Sequence, residues 1–256
     1  MLAIERKNEI LNKLRTDQRV LVSELAAHYQ VTEETIRRDL DKLEKEGFAT
    51  KTYGGAILGN STKTDLSHAI RSKTNVEYKN SIGDLVCSLV DDGDHLMIDD
   101  SSTALYAAKK LREKKNLTII TNSVELVVEL ATVEGWTILL TGGRLKAESL
   151  ALVGGQCEKY LGSYHVDKVL FSCKGIDREA GITDSNEFHA QAKQAMIRAA
   201  KTRILVVDSS KFDKISFVDI AAFDGIDTVV TNAKPDAQWL SFLAEHKVDC
   251  LYPGAK

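Results

Sequence analysis

Two patterns of apolar spacing predict two fold classes in this 256-residue chain. Residues 1–58 read as a small helical segment followed by a strand and a Gly-Gly turn, and residues 76–256 as an α/β domain with a mainly parallel sheet. Three observations carry this. Apolar residues recur at helical spacing in three short stretches before residue 45, and an alternating stretch ending in Gly54-Gly55 follows them. From about residue 76, apolar runs of strand length alternate with amphipathic helical stretches, the rhythm of parallel strand–helix–strand units. Between the two segments, Gly59-Asn60-Ser61-Thr62-Lys63-Thr64-Asp65 is polar and unpatterned, so residues 59–75 are expected to link two domains.

In the first segment Ile10, Leu11 and Leu14 line one face of a first helix. Leu21, Val22, Leu25, Ala26 and Tyr29 mark a second, with Ser23 as its expected N-cap. After a break at Gln30-Val31, Thr32 is placed to cap a third helix. That helix carries Ile36, Leu40 and Leu43 at i, i+4, i+7 spacing, and Gly47 is expected to stop it. Residues 48–53 then alternate as a strand. In the second segment strands are expected at 95–98, 117–120, 137–140, 168–171, 203–207, 228–230 and 248–252. Helices between them are marked by Ile82, Leu85, Val86 and Leu89, by Val124, Val127, Val128 and Ala131, and by Ala192, Ala195, Met196 and Ala199.

Composition narrows the function. Lys and Arg number 34 against 37 Asp and Glu, for a net charge of −3, which excludes a basic coat but leaves room for one local basic face. No apolar run approaches the ~20 residues of a membrane span. The start, MLAIERKNEI, is charged and lacks the apolar core of a secretory signal, so a cytoplasmic protein is expected. Cys87, Cys157, Cys173 and Cys250 are scattered without CxxC spacing and read as reduced thiols. The six histidines show no metal-ligand spacing. Gly142-Gly143 lacks the continuation of a nucleotide-phosphate loop. No metal and no cofactor is therefore expected.

Three helices followed by a strand and a Gly-Gly turn form the pattern of a winged helix-turn-helix. With Ile36, Leu40 and Leu43 buried, a 100° turn per residue puts Arg38, Lys42 and Lys45 on the outer face of the third helix, with Thr35 and Arg37 on its flanks. Such a helix fits the major groove of DNA, where arginine bonds guanine edges and threonine meets a thymine methyl or a phosphate. Thr32 and the helix N-terminus suit a phosphate, and Lys51 and Tyr53 in the wing reach toward backbone or minor groove. The DNA-binding candidates are thus Thr32, Thr35, Arg37, Arg38, Lys42, Lys51 and Tyr53. Ten Lys and Arg in residues 1–58 are balanced by ten Asp and Glu, so local placement rather than domain charge argues for DNA.

In the second segment several strands end in polar or glycine-rich turns: Asp99-Asp100-Ser101-Ser102-Thr103, Thr121-Asn122-Ser123, Thr141-Gly142-Gly143-Arg144, Lys174-Gly175-Ile176-Asp177 and Asp208-Ser209-Ser210-Lys211. Parallel α/β sheets bind ligands outside the carboxyl ends of their strands. Hydroxyls, Asn122 and glycine backbones there suit an anion with hydroxyl groups, and Asp177 suits sugar hydroxyls. The plainer reading of Ser-Ser-Thr before a helix is a cap. Cys173 beside Lys174 reads as a packed thiol, and the basic run from Lys109 to Lys115 as a solvated helix end.

RKNEILNKL, VSELAAHYQVTEETIRRDLDKLEKEGFATKTYGGAIL, MIDDSST, ITNS, LTGG, SCKGID and VVDSSKF stand in an order that closely resembles the DeoR family of bacterial transcription regulators, over essentially the whole chain. The resemblance implies a sensor domain similar to the ribose-5-phosphate isomerase and CoA-transferase fold, binding a phosphorylated sugar or polyol. It implies an effector site at Asp99, Ser101, Ser102, Thr103, Thr121, Asn122, Ser123, Gly142, Gly143, Lys174, Asp177, Glu187, Lys193, Asp208 and Lys211. Two positions depart from the pattern. Asp100-Ser101 stands where family members often have glycine, and a carboxylate near a phosphate needs a cation or an outward orientation. His189 in NEFHAQAKQAM has no assigned role. A repressor acting on operator DNA as a homo-oligomer is expected, because one ~55-residue module reads too few base pairs for a genomic site. An activator of the same type is the alternative sign. A sugar-phosphate isomerase or transferase using Glu187, Lys193, Asp177 and Lys174 is the rival class, but the isomerase's glycine-rich lysine segment is absent.

Overall fold

The computed structural model describes residues 3–17, 19–45, 48–58 and 68–255. Gly47, the expected helix stop, and the polar stretch 59–65 lie outside them. The chain divides into two compact units, Met1–Leu66 and Ser67–Lys256.

The first unit runs α1 (Ala3–Asp17), β1 (Arg19–Leu21), α2 (Val22–Tyr29), α3 (Glu33–Lys45), β2 (Ala49–Thr52) and β3 (Gly55–Leu58). Ile10 and Leu14 of α1, Leu25 of α2 and Ile36, Leu40 and Leu43 of α3 are buried together as their spacing requires. Gln30 adopts a left-handed conformation (φ 53°) that ends α2. Ser23 is not the cap expected of it. Leu21 precedes α2 without a side-chain cap bond, because Arg19–Leu21 is instead a strand paired antiparallel with β3. The sheet order is β1-β3-β2. The glycine pair in the wing has two separate causes. Gly54 turns the chain at φ +85°, and a Cβ on Gly55 would stand 2.1 Å from the Val20 carbonyl oxygen across the β1–β3 pair.

A buried ion pair crosses this unit. Arg6 Nε of α1 donates to Asp39 Oδ2 of α3 at 2.7 Å, with both side chains nearly excluded from solvent. Asp39 sits inside the Arg37-Arg38-Asp39 run, so one residue of that run points inward to hold the helix while its two neighbours point out.

The second unit runs α4 (His68–Lys73), α5 (Val76–Val86), β4 (His95–Ile98), α6 (Ser102–Lys110), β5 (Thr118–Thr121), α7 (Val124–Leu130), β6 (Thr137–Leu140), β7 (Arg144–Lys146), β8 (Ala151–Val153), α8 (Gly155–Leu161), β9 (Val166–Phe171), β10 (Gly175–Asp177), β11 (Gly181–Asp184), α9 (Glu187–Ala199), β12 (Ala200–Val206), β13 (Val218–Ala221), β14 (Thr228–Val230), α10 (Ala237–Glu245) and β15 (Asp249–Leu251). Part of the expected linker is therefore helical. The buried ammonium of Lys79 in α5 donates to the carbonyls of Arg71 and Thr74 and ties that stretch down.

Seven strands form one parallel sheet in the order β15-β14-β12-β9-β4-β5-β6. The chain starts at β4, builds outward to β6, then crosses back to lay β9 on the other side of β4. Alternate residues feed two cores, one per face: Met97, Val169 and Phe171 pack with α8, α9 and α10, while Leu96, Ile98 and Leu170 pack with α5, α6 and α7. Two small antiparallel sheets, β7-β8 and β10-β11-β13, were not expected from the sequence. The helix around Val124 is present with a different face inward: Leu126 and Leu130 are buried, whereas Val128 is 73% exposed.

Removing the Asp39 carboxylate strands Arg6 in a buried position. Asp39→Ala is expected to lower the stability of the first unit by about 3–5 kcal/mol, read as an earlier unfolding transition in a thermal melt. Asp41→Ala, which removes an exposed partner of Lys51, is expected to leave that transition nearly in place.

Candidate functional sites

In the first unit the outer face of α3 carries the charge. Thr32 caps the helix as its position suggests: its Oγ1 accepts from the Thr35 amide at 3.3 Å and lies 2.9 Å from Thr35 Oγ1. Arg37, Arg38 and Lys42 are exposed. Each arginine already has a carboxylate one turn back, Arg37 with Glu33 at 2.6 Å and Arg38 with Glu34 at 3.5 Å. Lys51 on β2 bonds Asp41 of α3, and that bond holds the Asp41 carboxyl below its usual range. The Lys51 amide donates to Glu44 Oε1 at 2.8 Å, fastening wing to helix. Tyr53 is fully exposed at the tip of the wing. All seven sequence-derived positions thus lie on α3, at its N-terminus or on the wing, and the cations among them carry exposed, exchangeable acidic partners where partners are seen. Exposed pairs of this kind are weak, so a phosphate or a base edge can replace the carboxylate.

In the second unit, strand order reverses between β4 and β9, and the crevice beyond their carboxyl ends is where an α/β sheet holds a ligand. Here the chain places Asp99 and Asp100 after β4, and Ser172 and Cys173 after β9. Asp184 at the end of β11 and His189 and Lys193 on α9 face them. Asp99 is 1% exposed; its two oxygens accept from the backbone amides of Ser101 and Ser172, both at 3.0 Å, which stitches β4 to β9. Lys193 Nζ donates to Asp184 Oδ2 and lies 3.5 Å from Asp99 Oδ2. Asp184 also accepts from the Ser185 amide at 2.7 Å.

Burial opposes every charge in this cluster, and the outcome differs by partner. It disfavours the Lys193 ammonium, but Asp184, Asp99 and Asp100 outweigh it and hold that group charged well above the usual lysine range. Asp184 is likewise held below the ordinary carboxylate range, Lys193 and Lys174 overcoming its burial. For Asp99 burial prevails over Lys193 and the two amide bonds, the neighbouring Asp100 adds to it, and its pKa rises. Asp100 is pulled well below the usual range against its own burial by His189 and then Lys193.

The two departures noted in the sequence meet here. His189 Nδ1 lies 3.1 Å from Asp100 Oδ2, so the unexpected carboxylate and the unassigned histidine answer one another. His189 and Lys193 are four residues apart on one face of α9, each opposite one of two successive aspartates.

The other candidates fall into three groups. Ser101 and Ser123 spend their hydroxyls as N-caps of α6 and α7, accepting from the Ala104 and Leu126 amides at 3.1 and 3.2 Å; Ser102 and Thr103 are buried in the first turn of α6. Thr121 Oγ1 donates to the Ile98 carbonyl at 2.6 Å and accepts from the Ser123 amide, while Asn122 reaches Asp100, so the β5 turn is joined to the β4 turn. Gly143 at φ +124° lies so close to β8 that a Cβ would come within 2.8 Å of the Val153 carbonyl oxygen; Gly142 beside it is exposed. Lys174 is half-buried, its amide donating to Thr183 of β11 at 2.9 Å. Buried Asp208 accepts from the Ser210 amide at 2.9 Å, in the turn after β12 that carries Lys211. Two candidates are placed differently. Glu187 is exposed at the start of α9, and Asp177 closes its own hairpin turn, accepting from the amides of Glu179 and Ala180 at 2.9 Å. Asp184 was missed by sequence reasoning because the short strand it ends was missed. Cys173 is buried, which pushes its thiol up to about 12, and burial also raises Cys157, so neither is a ready nucleophile. Among the described residues no group of three or more His, Cys, Asp or Glu is arranged to hold a metal ion, and no helix is long and apolar enough to cross a membrane.

Comparison with known proteins assigns both units. Residues 6–62 match the DeoR-like helix-turn-helix domain and residues 74–233 the DeoR C terminal sensor domain. Among curated relatives, the uncharacterized HTH-type transcriptional regulator YulB of Bacillus subtilis is 38% identical, covering 97% of this chain and 96% of its own. The HTH-type transcriptional repressor GlcR of the same organism is also 38% identical, over 96% and 95%. The glycerol-3-phosphate regulon repressor of Escherichia coli is 28% identical, over 97% and 98%. A ribose 5-phosphate isomerase from Methanocaldococcus jannaschii aligns with 54% of this chain and 55% of its own at a TM-score of 0.39 and 18% identity, a likeness too loose to bear on function. With both domains matched in order and full-length relatives at this identity, the chain belongs to the DeoR family of transcription regulators.

Proposed function

We propose that this regulator is a repressor of a carbohydrate operon, binding its operator through α3 and the wing and released when a phosphorylated sugar or polyol occupies the crevice beyond β4 and β9. The observation that carries the sensor half is the buried cluster of Asp99, Asp100, Asp184, His189 and Lys193 at the point where strand order reverses. Polar groups of that number are buried at a cost, and a ligand site is the usual return for it. The names of the relatives support the same reading: GlcR is a repressor, and the Escherichia coli relative is named for a glycerol-3-phosphate regulon.

In this reading Thr32, Thr35, Arg37, Arg38, Lys42, Lys51 and Tyr53 meet DNA, with residues 1–58 as the reading domain and 76–256 as the sensing and oligomerising one. The effector is bounded by the β4, β5, β6, β9 and β12 turns, with Asp99, Ser101 to Thr103, Thr121 to Ser123, Gly142-Gly143, Lys174, Lys193, Asp208 and Lys211 around it. Glu187 and Asp177 belong at most to its rim. Catalysis is disfavoured by the same geometry. Lys193 is held as a charged ammonium by the acids around it and is a poor proton acceptor, and Asp177 spends its carboxylate on its own hairpin turn. Operator recognition needs two half-sites, hence a symmetric oligomer, acting in the cytoplasm where the DNA is.

Fluorescence anisotropy at one fixed salt concentration tests this, with DNA from upstream of the protein's own gene and a panel of sugar and polyol phosphates. Specific binding lost with one phosphate supports the repressor. Tightening would make it an activator, and absence of specific binding with every compound would refute the operator reading. Arg38→Ala is expected to weaken operator binding by about 1–3 kcal/mol and to relax preference at one base pair, whereas Lys51→Ala weakens all sequences alike and lowers the salt slope by about 1. Glu34→Gln frees Arg38 from its exposed partner, and operator binding should tighten on the order of two- to fivefold, the equivalent of one exposed pair.

A further inference from the structure

Two buried polar atoms beside Asp100 have no hydrogen-bond partner: Nε2 of His189 and Oδ1 of Asn122. Both residues hold the same carboxylate. His189 Nδ1 lies 3.1 Å from Asp100 Oδ2, and Asn122 Nδ2 donates to Asp100 Oδ1 at 3.5 Å and to the Leu152 carbonyl at 3.1 Å. His189 and Asp100 are each 4% exposed and Asn122 is fully buried. Buried polar atoms left unsatisfied are rare and costly. Two of them on residues tied to one carboxylate, at the reversal point of the sheet, indicate that a partner is bound there in use.

The chemistry of that partner follows from the atoms. With Asp100 taking the Nδ1 proton, Nε2 is left to donate if the ring is charged or to accept if it is neutral. Asn122 Oδ1 is a carbonyl oxygen and can only accept, and the bonds its amide nitrogen makes fix which way the group faces. A phosphate oxygen also only accepts, so it cannot satisfy Asn122, and it would meet the Asp100 carboxylate at short range. A hydroxyl both donates and accepts and carries no charge. On the sensor reading given above, we infer that Asp100, His189 and Asn122 form the hydroxyl-reading end of the effector site, with His189 Nε2 and Asn122 Oδ1 as its contact atoms and Asp100 as the residue that positions both. The phosphate of the effector is then held elsewhere in the crevice. Specificity among sugar and polyol phosphates resides in this trio, because it reads what differs between them.

Two histidine substitutions separate reading from support. In His189→Asn the amide nitrogen takes the place of Nδ1 and keeps the bond to Asp100, with nothing at the Nε2 position. In His189→Gln the amide reaches the Nε2 position and gives up the Nδ1 bond. The full-length protein is titrated calorimetrically with glycerol 3-phosphate, fructose 6-phosphate, glucose 6-phosphate, 2-deoxyglucose 6-phosphate and inorganic phosphate, with a thermal melt of each variant. The expected result is that His189→Asn binds the compound preferred by the wild type about tenfold more weakly, or worse, and flattens the ranking of the organic phosphates, while inorganic phosphate binding changes less than twofold. His189→Gln keeps more of the ranking. If His189→Asn ranks and binds the compounds as the wild type does while His189→Gln alone melts early, the histidine is only a support for Asp100 and the inference is overturned. Should His189→Asn not fold, Asn122→Thr, which removes Oδ1, is expected to show the same flattened ranking, and an unchanged ranking overturns the inference. A wild type that binds none of the organic phosphates brings down the sensor reading itself, and this inference with it.

Discussion

The second unit is organised around a lysine that cannot leave. Lys193 is buried in a helix of alanines, and its charge is tolerable there because acids converge on it, Asp184 foremost, with Asp99 and Asp100 beside it. Breaking a buried pair of this kind by removing one partner leaves an uncompensated charge and is severely destabilising, whereas the intact set contributes little net energy over an apolar core. Its value is therefore positional. Asp99 meets the ammonium while it also accepts the Ser101 and Ser172 amides, and those bonds fix the turns that follow β4 and β9. Placement of α9, the ends of β4 and β9, and the end of β11 are one constraint seen from four sides.

The first unit solves the opposite problem. Its helix α3 must hold its shape while offering its charges. Asp39 turns inward to Arg6 and fixes the helix from behind, in a setting where the pair is hard to break. Arg37 and Arg38 turn outward to acids one turn away, in a setting where pairs are easily exchanged. The same chemistry, an arginine with a carboxylate, thus serves rigidity in one place and availability in the other. Solvent makes the difference.

Much of this was legible in the sequence, and the failures have physical causes. Long apolar periodicity in α3 and the apolar strands of the parallel sheet stand out because each is buried on a face, or on both, and the pattern records that burial. The short antiparallel strands β7, β8, β10, β11 and β13 have three or four residues each and are interrupted by glycine and polar groups, so no period develops. In α7 apolar residues lie on every side, Val124, Leu126, Val127, Val128 and Leu130, and spacing alone does not choose Leu126 and Leu130 for the core. The Arg19–Leu21 strand is absent from the pattern, and Leu21 reads as part of the next helix, because three residues cannot announce a sheet whose partner is more than thirty residues away. Of the buried cluster, Asp99 and Lys193 are among the sequence candidates and Asp184 is not, for want of the strand that ends in it. The partnership of Asp100 with His189 had a visible trace: His189 and Lys193 continue the stripe of Ala192 and Met196, and polar residues on a buried stripe need partners.

The separation in sequence between groups that must meet also sets an order in time. The first unit is held by partners no more than a few tens of residues apart, such as Arg6 and Asp39, so all its contacts are present once its own chain has left the ribosome. The parallel sheet must wait, because β4 can find β9 only after some seventy further residues have been made, and Asp99 meets Lys193 later still. Contacts this distant are slow to form and leave apolar strand edges uncovered meanwhile. During synthesis a nascent chain therefore carries a finished helix-turn-helix head ahead of an unfinished sensor domain, and for that interval the head exists without the part that would govern it.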